Sequence, residues 1–570
     1  MALRKYMSIF KEKSVFDDLF TGDDVVIPQN VNKGYIPQAA GGKIKFQSES
    51  METGSSTSKY VYVEDDSIDQ LERLSSDMVG KWDLMTPKLV LTIISSTKHF
   101  TSWGFHEDID SFQDGLMKAA SLAEMMILVD GQNYGITQII GEAVAKEKDR
   151  RKILAREQTL TRFVSSDQLP RITVIGLVPQ QVLSQAVSDS VSESITAATL
   201  GKTNILISLS DESIDDDINN LNSNLTHFII INKDLGPPGQ VNFTNRLELR
   251  LSRPLGWVQN RQSLLLNEDE VGPVPLIGLL VQGGPQEIDR VLALVKRNVP
   301  VIVLWGLGMA GDIIAYAARE SQKSYDSYTY EMYVKAELRR LLSDMFPEEF
   351  VGNNLARNQC RDRVLQCVAH ANQGETSLLT LVNVKAHSQD LSTAILMSVL
   401  NSYNFRPTKT DQIQYSLQLC LDWMSPEIAL TNIFSKYSRN LIMVTDDMFQ
   451  QALLRPSREE FVDLFLDRGF VLHSFLSQTR LATLFERCQD KDFFAGICLE
   501  TILGEKVTQA HIIPETFVQD KKCDLNRLLQ SLTSLTYLID PEELTINAGP
   551  DRAVNAAVAE KQVRIQLCIL

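Results

Sequence analysis

Short apolar runs that end in glycine recur along the first half of the chain. Two of them, residues 275–285 and 299–308, are separated by a helix-length segment whose apolar residues are spaced to form one helix face. This order is typical of a buried parallel strand, a crossover helix and a second parallel strand. Four further runs rich in Val, Ile and Leu lie at 88–94, 125–129, 171–178 and 227–231. Six strands alternating with helices predict an α/β, doubly wound, Rossmann-like parallel sheet.

Beyond residue 330 the pattern becomes mostly helical. Amphipathic segments follow one another there, separated by short stretches that contain Pro, Asn or Gly. Helix pairs in series predict an all-α, ankyrin-like array, although the sequence shows no strict repeat period. The predicted helices cover 332–345, 361–371, 392–402, 411–423, 428–434, 447–454 and 458–466.

Length and local composition suggest the domain boundaries. A chain of 570 residues is too long for one hydrophobic core. We expect a flexible N-terminal arm at 1–60, which is rich in Gly, Ser, Gln, Asn and Thr. The Rossmann-like domain is then expected at 61–330, the helical repeat domain at 331–515 and an irregular segment at 516–570. Because the last residues are apolar and lack a helix cap, we expect that a larger architecture continues there.

Composition and charge exclude several classes of partner. A formal net charge of -16 disfavours nucleic acid and anionic membrane surfaces, since both require a basic face. No run approaches the roughly eighteen apolar residues of a membrane span, so we expect a soluble chain. All seven cysteines lie from Cys360 onward at irregular spacing, which is typical of a reducing compartment. Cys367 and His370 lack a second ligand pair at zinc-finger spacing, and no metal site is predicted.

The glycines at the ends of the last two strands are candidate ligand-binding residues. At the carboxyl edge of an open α/β sheet, backbone amides and helix N-termini can bind a phosphate-bearing ligand. Gly283 and Gly284 end one of these strands, and Gly306 and Gly308 end the other. The sequence therefore predicts an anion-binding edge at this place.

The sequence shows no catalytic set. Gly201-Lys-Thr203 lacks the first glycine of a P-loop. The acidic clusters at 64–66 and 215–217 are typical of solvated loops. His99 and His227 have no nucleophile or carboxylate at a recognisable spacing, so we interpret both as structural histidines. We therefore predict that the chain is not an enzyme.

Motifs over roughly residues 80–490 are co-linear with those of one known family. The best matches are Gly278-Leu-Leu-Val-Gln-Gly-Gly-Pro285 and His227-Phe-Ile-Ile230, and Phe461–Gly469 matches in the helical half. They resemble the cytosolic N-terminal homology region, with its SLOG-type domain, of melastatin-type (TRPM) transient receptor potential cation channels. Co-linearity over this length is stronger evidence than a single glycine turn.

The resemblance implies a role in a channel. In this family the region forms the intracellular skirt of a tetrameric, calcium-permeable cation channel, and some members bind ADP-ribose. We therefore expect other channel subunits as partners, as a homotetramer, and a membrane contact only through a pore outside this sequence. ADP-ribose or a related nucleotide is the ligand that the resemblance suggests.

The resemblance also adds candidate site residues. The family's second strand ends in a glycine turn that is similar to the segment containing Gly131, Asn133 and Gly135. Asp130 replaces a family glycine there, and Met309 stands where nucleotide-binding relatives have a phosphate-pairing arginine. Two arginines in a following helix-like segment, Arg246 and Arg250, are candidates to compensate for the missing phosphate-pairing arginine. Retained nucleotide binding and a degenerate pocket remain the two alternatives, and the altered residues favour the second.

Three functions are therefore open. The first is a non-catalytic sensing and assembly region of a TRPM-type channel. The second is a soluble protein without a pore that binds or processes a nucleotide derivative similar to ADP-ribose. The third is a truncated isoform that modulates full-length subunits by co-assembly.

Overall fold

The structure is a computed structural model that describes most of the first 471 residues. The described residues are 41–47, 56–161, 171–183, 185–199, 205–210, 220–253, 255, 274–373, 376–385, 390–401, 409–438, 441–455, 457–471 and 475. The chain divides into two units, of which the first comprises Met1–Arg150 with Pro170–Pro407. The second comprises Arg151–Leu169 with Thr408–Leu570.

One sheet organises the first unit. Its strands among the described residues are β1 Gly41–Gln47, β2 Ser56–Val63, β3 Leu89–Ile94, β4 Met125–Val129, β5 Thr173–Pro179, β6 Ile205–Ser210, β7 His227–Ile231, β8 Leu276–Val281, β9 Val301–Trp305 and β10 Leu379–Asn383. The strand order is β10-β9-β8-β3-β4-β5-β7-β2-β1-β6. Neighbouring strands are parallel except for the antiparallel pair of β1 and β2.

Helices connect the strands and cover the sheet. The described helices are α1 Ile68–Gly80, α2 His106–Ala123, α3 Gly135–Thr161, α4 Gln185–Thr199, α5 Pro237–Leu251, α6 Pro285–Lys296, α7 Met309–Ser321, α8 Ser327–Thr329, α9 Lys335–Met345, α10 Pro347–Phe350, α11 Asn354–Ala371, α12 Leu391–Asn401, α13 Lys409–Asp422, α14 Pro426–Ala429, α15 Asp446–Leu454 and α16 Glu459–Asp467. Wider helical turns at Tyr330–Val334 and Leu430–Phe434 continue α8 and α14.

The six strands predicted from the sequence are β3, β4, β5, β7, β8 and β9, and the prediction of a Rossmann-like α/β sheet is confirmed. Every residue of β4, β7 and β8 is buried. Such continuous burial is typical of parallel strands covered on both faces, and it explains why their sequences are runs of Val, Ile and Leu.

The sheet extends on both sides of the boundaries that the sequence suggested. We expected residues 1–60 to be a flexible arm, but β1 and the start of β2 lie in this range and pair with β6 and β7. Ile44 of β1 is buried, and residues 60–63 of β2 are buried without interruption. The burial of these apolar and aromatic residues outweighs the Gly and Ser content on which the prediction of an arm relied.

The first unit also continues past residue 330, where the helical domain was expected to begin. β10 pairs in parallel with β9, and α11 packs on α6 and α7. The buried face of α11 includes Val364, Cys367 and Ala371, which belong to the same core as the strands. These residues give α11 an apolar face, which is buried against the helices that cover the sheet.

In the second unit, the helices α13 to α16 form two helix pairs. Each pair has an apolar interior, since Leu417 and Ala429 of the first pair and Phe449 and Phe461 of the second are buried. Polar contacts also link the pairs, because Arg455 Nη1 lies 2.8 Å from Asp422 Oδ1. An ankyrin-like array stays a prediction.

Candidate functional site

The candidate site lies at the carboxyl edge of the parallel strands. The chain proceeds from β3 to β4 and β5 in one direction along the sheet, and from β8 to β9 and β10 in the other. The order therefore reverses between β3 and β8, where ligands of such sheets bind. Four segments follow the strands at this edge: the β3 loop (residues 95–105), the β4 turn (130–134), the β8 turn (282–284) and the β9 turn (306–308).

The β8 and β9 turns are joined by backbone hydrogen bonds. The N–H of Ala310 donates to the carbonyl of Gly283 at 3.1 Å, and the N–H of Gly311 donates to the carbonyl of Gln282 at 3.0 Å. Both amides belong to the first turn of α7, where unpaired N–H groups would be available to an anion. Here they are used to hold the neighbouring turn.

The side chain of Gln282 closes the edge further. Its Nε2 donates to the carbonyl of Thr101 at 3.0 Å, to Thr101 Oγ1 at 2.7 Å and to the carbonyl of Leu307 at 3.0 Å. Its Oε1 accepts the N–H of Thr101 at 3.0 Å. The residue is 1% exposed and has φ of 57°, a strained conformation for a residue other than glycine. One amide therefore ties the β3 loop, the β8 turn and the β9 turn together.

Carboxylates of the chain itself occupy the amides that a phosphate would need. Glu287 Oε2 accepts the N–H of Gly284 at 2.7 Å, and Asp312 Oδ1 accepts the N–H of Gly306 at 2.5 Å. In the β4 turn, Asp130 Oδ1 accepts the N–H of Gln132 at 3.0 Å. A side-chain carboxylate therefore accepts a backbone N–H in each of the three turns.

Burial raises the pKa of two of these acids, Asp130 and Glu287. It raises the pKa of Asp130 to about 6, against the opposing hydrogen bonds from Gln132 and Thr137. Burial also raises the pKa of Glu287, against its backbone hydrogen bond from Gly284 and the charges of His99 and Arg290. A second anion beside these carboxylates would be repelled and would have to displace them.

The glycines predicted as ligand residues have structural roles in these turns. A Cβ atom at Gly131 would lie 2.4 Å from Val178 Cγ2, so this glycine allows close packing against β5. The N–H of Asn133 donates to the carbonyl of Asn220, and Gly135 begins α3 against the ring of Phe100. Gly308 differs, because it has φ of 85° and a Cβ there would meet no atom within 4 Å.

The two arginines expected to compensate bind acidic residues near α1. Arg246 Nη1 donates to the carbonyl of Asp66 at 2.6 Å and lies 3.6 Å from its carboxylate. Arg250 Nε donates to Glu72 Oε1 at 3.1 Å, and its Nη2 donates to the carbonyl of Leu255. The charge of each guanidinium is thus partly neutralised by an acid from this region of the fold.

A cluster around His99 was not predicted from the sequence. His99 Nδ1 lies 3.2 Å from Ser96 Oγ, and His99 Nε2 lies 3.0 Å from Glu349 Oε1. Lys98 Nζ contacts the same Glu349 oxygen at 2.6 Å. Glu349 is 250 residues from His99 in the chain, so no local spacing signals this contact.

The Ser96, His99 and Glu349 side chains form a row that superficially matches a nucleophile, a base and an orienting acid. Two features argue against catalysis by this row. Lys98 shares the Glu349 oxygen and weakens its effect on the imidazole, and the N–H of neighbouring Gly284 already donates to Glu287. Hydrolysis by such a row depends on donors that stabilise the oxyanion.

The second histidine, His227, is structural, as interpreted from the sequence. Burial, followed by the charges of Lys59 and Lys148, lowers its pKa to about 3, so the ring is neutral. Its Nδ1 lies 2.9 Å from Thr226 Oγ1, and its ring packs against Trp82 with centroids 4.6 Å apart.

Comparison with known proteins identifies the family. The profile of the family described as SLOG in TRPM matches residues 58–367, which is more than half of the chain. The chain belongs to the TRPM SLOG family. The match includes most of β2, all of β3 to β9 and most of α11, so the TRPM SLOG domain runs past the boundary expected at residue 330.

Several TRPM channel proteins are similar to the chain over most of its length. It is 26% identical to transient receptor potential cation channel subfamily M member 6 of Homo sapiens, over 80% of this chain and 19% of that protein. It is 23% identical to subfamily M member 5 of Homo sapiens, over 73% of this chain and 32% of that protein. For subfamily M member-like 2 of Nematostella vectensis the identity is 25%, over 72% of this chain and 24% of that protein.

These values identify a divergent TRPM N-terminal region. The chain spans between about a fifth and a third of the length of these relatives. Among the helices in the described ranges, none has both the length and the apolar character needed to cross a membrane.

Proposed function

We propose that this chain is a non-catalytic, cytosolic region of a TRPM-type, calcium-permeable cation channel subunit. Family membership and the similarity to channel proteins over 72–80% of the chain support the proposal. In this role the first unit is a scaffold with a sensing function, and the chain assembles with other subunits into a homotetramer. The helix pairs of the second unit are proposed to belong to an ankyrin-like array that supplies a subunit contact surface.

The observation that carries the scaffold role is the closed carboxyl edge. Gly284, Gly306, Ala310 and Gly311 are the residues whose backbone N–H groups would bind phosphate, and each donates to another atom of the protein. A nucleotide would have to break these bonds and displace the Glu287 and Asp312 carboxylates. We therefore propose that the TRPM SLOG domain of this chain has lost ADP-ribose binding at the β8 and β9 turns.

Assembly is tested by the mass of the particles that the protein forms. The full chain and the longest product of its gene are purified and measured by mass photometry across a concentration series. Tetramers of either product support the assembly role. If both products are monomers at all concentrations, the assembly role is wrong.

The closed edge is tested by calorimetry with ADP-ribose, cyclic ADP-ribose and NAD. We expect no saturable heat from the full chain, and the same result from the variant Gly308→Asp. Micromolar binding that Gly308→Asp abolishes would contradict the scaffold proposal. The appearance of any reaction product of these nucleotides in the calorimeter cell would also contradict it.

One observation favours the alternative of a soluble protein that binds a nucleotide derivative without a pore. The face of Gly308 is open, and the side chain of Lys385 lies beside Gly306, with Cδ 3.8 Å from where a Cβ would stand. A single exposed ammonium beside an open turn is a weaker anion site than a set of free amides. The same calorimetry decides between the two functions, with Lys385→Gln as the variant that would reduce binding in the alternative.

A further inference from the structure

We propose that a basic cluster on the sheet binds a small soluble anion that carries terminal phosphate groups. The cluster consists of Lys43 on β1, Lys59 on β2 and Arg171, which precedes β5. It lies toward the amino ends of β5 and β7, at the opposite edge of the sheet from the β8 and β9 turns. The inference therefore goes beyond the proposed function and does not depend on it.

Two lysines of the cluster lie directly opposite each other in the sheet. Lys43 pairs with Lys59 in the antiparallel register of β1 and β2, so both side chains are on the same face. Lys59 is next to His227, the first residue of β7, whose neutral ring ends the row of positive charges. Like charges at directly opposed positions destabilise a sheet. An anion bound between the two ammonium groups would remove this repulsion.

The surroundings of the cluster do not balance its charge. Lys43 is exposed and makes no ion pair or side-chain hydrogen bond with the residues that the structure describes. Burial lowers the pKa of Lys59 against the opposing charge of Asp83, and the charges of Lys43 and Arg171 lower it further. Asp83 is already paired with Arg171, whose Nη1 lies 3.1 Å from Asp83 Oδ2. Within the described part of the chain, three cations thus share this carboxylate.

The ammonium of Lys59 is held in position by backbone carbonyls. Its Nζ donates to the carbonyl of Trp82 at 2.7 Å and to the carbonyl of Lys81 at 3.2 Å, just after the end of α1. An ammonium has three N–H donors, so one is left for a ligand. A phosphate monoester has three acceptor oxygens and a charge of about −2 at neutral pH, and it can accept hydrogen bonds from Lys59 and Lys43 together.

The net charge of the chain favours a small anion over a large one. At -16, the protein as a whole repels nucleic acid and anionic membrane surfaces, whereas the field of a local cluster acts within a Debye length of about 10 Å. A small anion therefore gains the attraction of the cluster without most of the repulsion. ADP-ribose and NAD do not have this chemistry, because neither carries a terminal phosphate.

The experiment is calorimetry of the full chain with inorganic tripolyphosphate in a metal-free buffer at low salt. We expect saturable binding that added salt weakens. Lys43→Gln should weaken binding about ten-fold, because one charge-assisted hydrogen bond is lost, and Lys43→Arg should restore it. Lys118→Gln makes the same change of charge on α2 and is the control, which should bind like the wild type.

A charge reversal separates a loss of binding from a loss of folding. Lys43→Glu places an acid opposite Lys59, so it should abolish binding and raise the urea midpoint of unfolding. The absence of saturable heat from the wild type would overturn the proposal. Equal affinities of the wild type and Lys43→Gln would overturn it as well, because the anion would then bind elsewhere.

Two other occupants of the cluster are outcomes of the same test. Sedimentation with phosphatidylcholine vesicles that contain phosphatidic acid, without binding of tripolyphosphate, would identify a membrane surface and overturn the choice of a soluble anion. The acidic residues at 211–217, which lie outside the described residues, are the competitor within the chain. If tripolyphosphate bound only after these acids were changed to their amides, the proposal of an external anion would be wrong.

Discussion

The β8 and β9 turns are neighbouring glycine turns at one sheet edge, yet they are enclosed to different degrees. At the β8 turn, a Cβ at Gly284 would lie 2.3 Å from His99 Nδ1, whereas one at Gly308 in the β9 turn would meet no atom within 4 Å. The first turn is enclosed by the β3 loop, and the second is open on one side. The difference shows that a glycine pattern reports where the backbone turns, while the contacts of adjacent loops decide whether a ligand can approach.

The largest expected effect follows from removing the amide that seals the β8 turn. Gln282→Ala should lower the free energy of unfolding by about 4 kcal/mol, because buried hydrogen-bond partners in two loops lose their bonds. The protein is unfolded in a urea series, and hydrogen exchange of the β3 and β8 peptides gives the midpoint of the transition. Gln138→Ala is the control, since Gln138 is exposed on α3, and it should change stability by less than about 0.5 kcal/mol.

Adding a methyl group at the enclosed turn should have the next largest effect. Gly284→Ala should lower stability by about 3 kcal/mol, because the ring of His99 is fixed by Ser96, Glu349 and Phe346 and has no free direction to move. Urea unfolding of Gly284→Ala, His99→Ala and the double variant measures the coupling. The double variant should be more stable than the sum of the single changes predicts by about 1 kcal/mol. Additive changes would show that His99 does not enclose this turn.

A pH-dependent effect extends the comparison to the β4 turn. The pKa of Asp130, about 6, lies above that of an unfolded aspartate, so ionisation weakens the fold as pH rises through this range. Asp130→Asn should therefore be more stable than the wild type by about 2 kcal/mol at about pH 8, and the gain should vanish near pH 4. Unfolding of both proteins across this range measures the difference. A gain that is constant with pH would contradict the assignment to the Asp130 carboxylate.

The smallest expected effect is at the open turn. Gly308→Ala meets no side chain or backbone of another segment, so only its backbone conformation (φ 85°, ψ -169°), which glycine adopts most easily, should matter, with a loss of about 1 kcal/mol. The same urea titration used for Gly284→Ala gives this value. If the two alanine variants lost equal stability, the proposed contrast between an enclosed and an open turn would be wrong.

Much of the sheet could be predicted because its signals are local. Runs such as Met125–Val129 and Leu276–Val281 are apolar without interruption because both faces of these strands are covered. Of the four strands that were missed, β1 and β10 lie in the outer part of the sheet and carry polar residues such as Lys43 and Asn383. Neither strand has the long apolar run that identifies a central strand.

The site was predictable in position but not in chemistry. Glycines after β8 and β9 locate the edge, and Glu287, three residues after Gly284, was a readable sign of a helix cap. Contacts such as Gln282 with Thr101, or His99 with Glu349, join residues 181 and 250 positions apart. Only the fold brings these groups together, so local spacing could not reveal that the edge is closed.

The pairing of β3 with β8 has a consequence for synthesis on the ribosome. Val90 lies opposite Leu276, so this central strand emerges long before its partner on one side has been translated. During that interval β4 and β5 can protect only the other side of β3. An apolar strand with one unpaired edge is prone to aggregate, and non-local pairing is slow. We expect the nascent chain to need a chaperone until β8 is available.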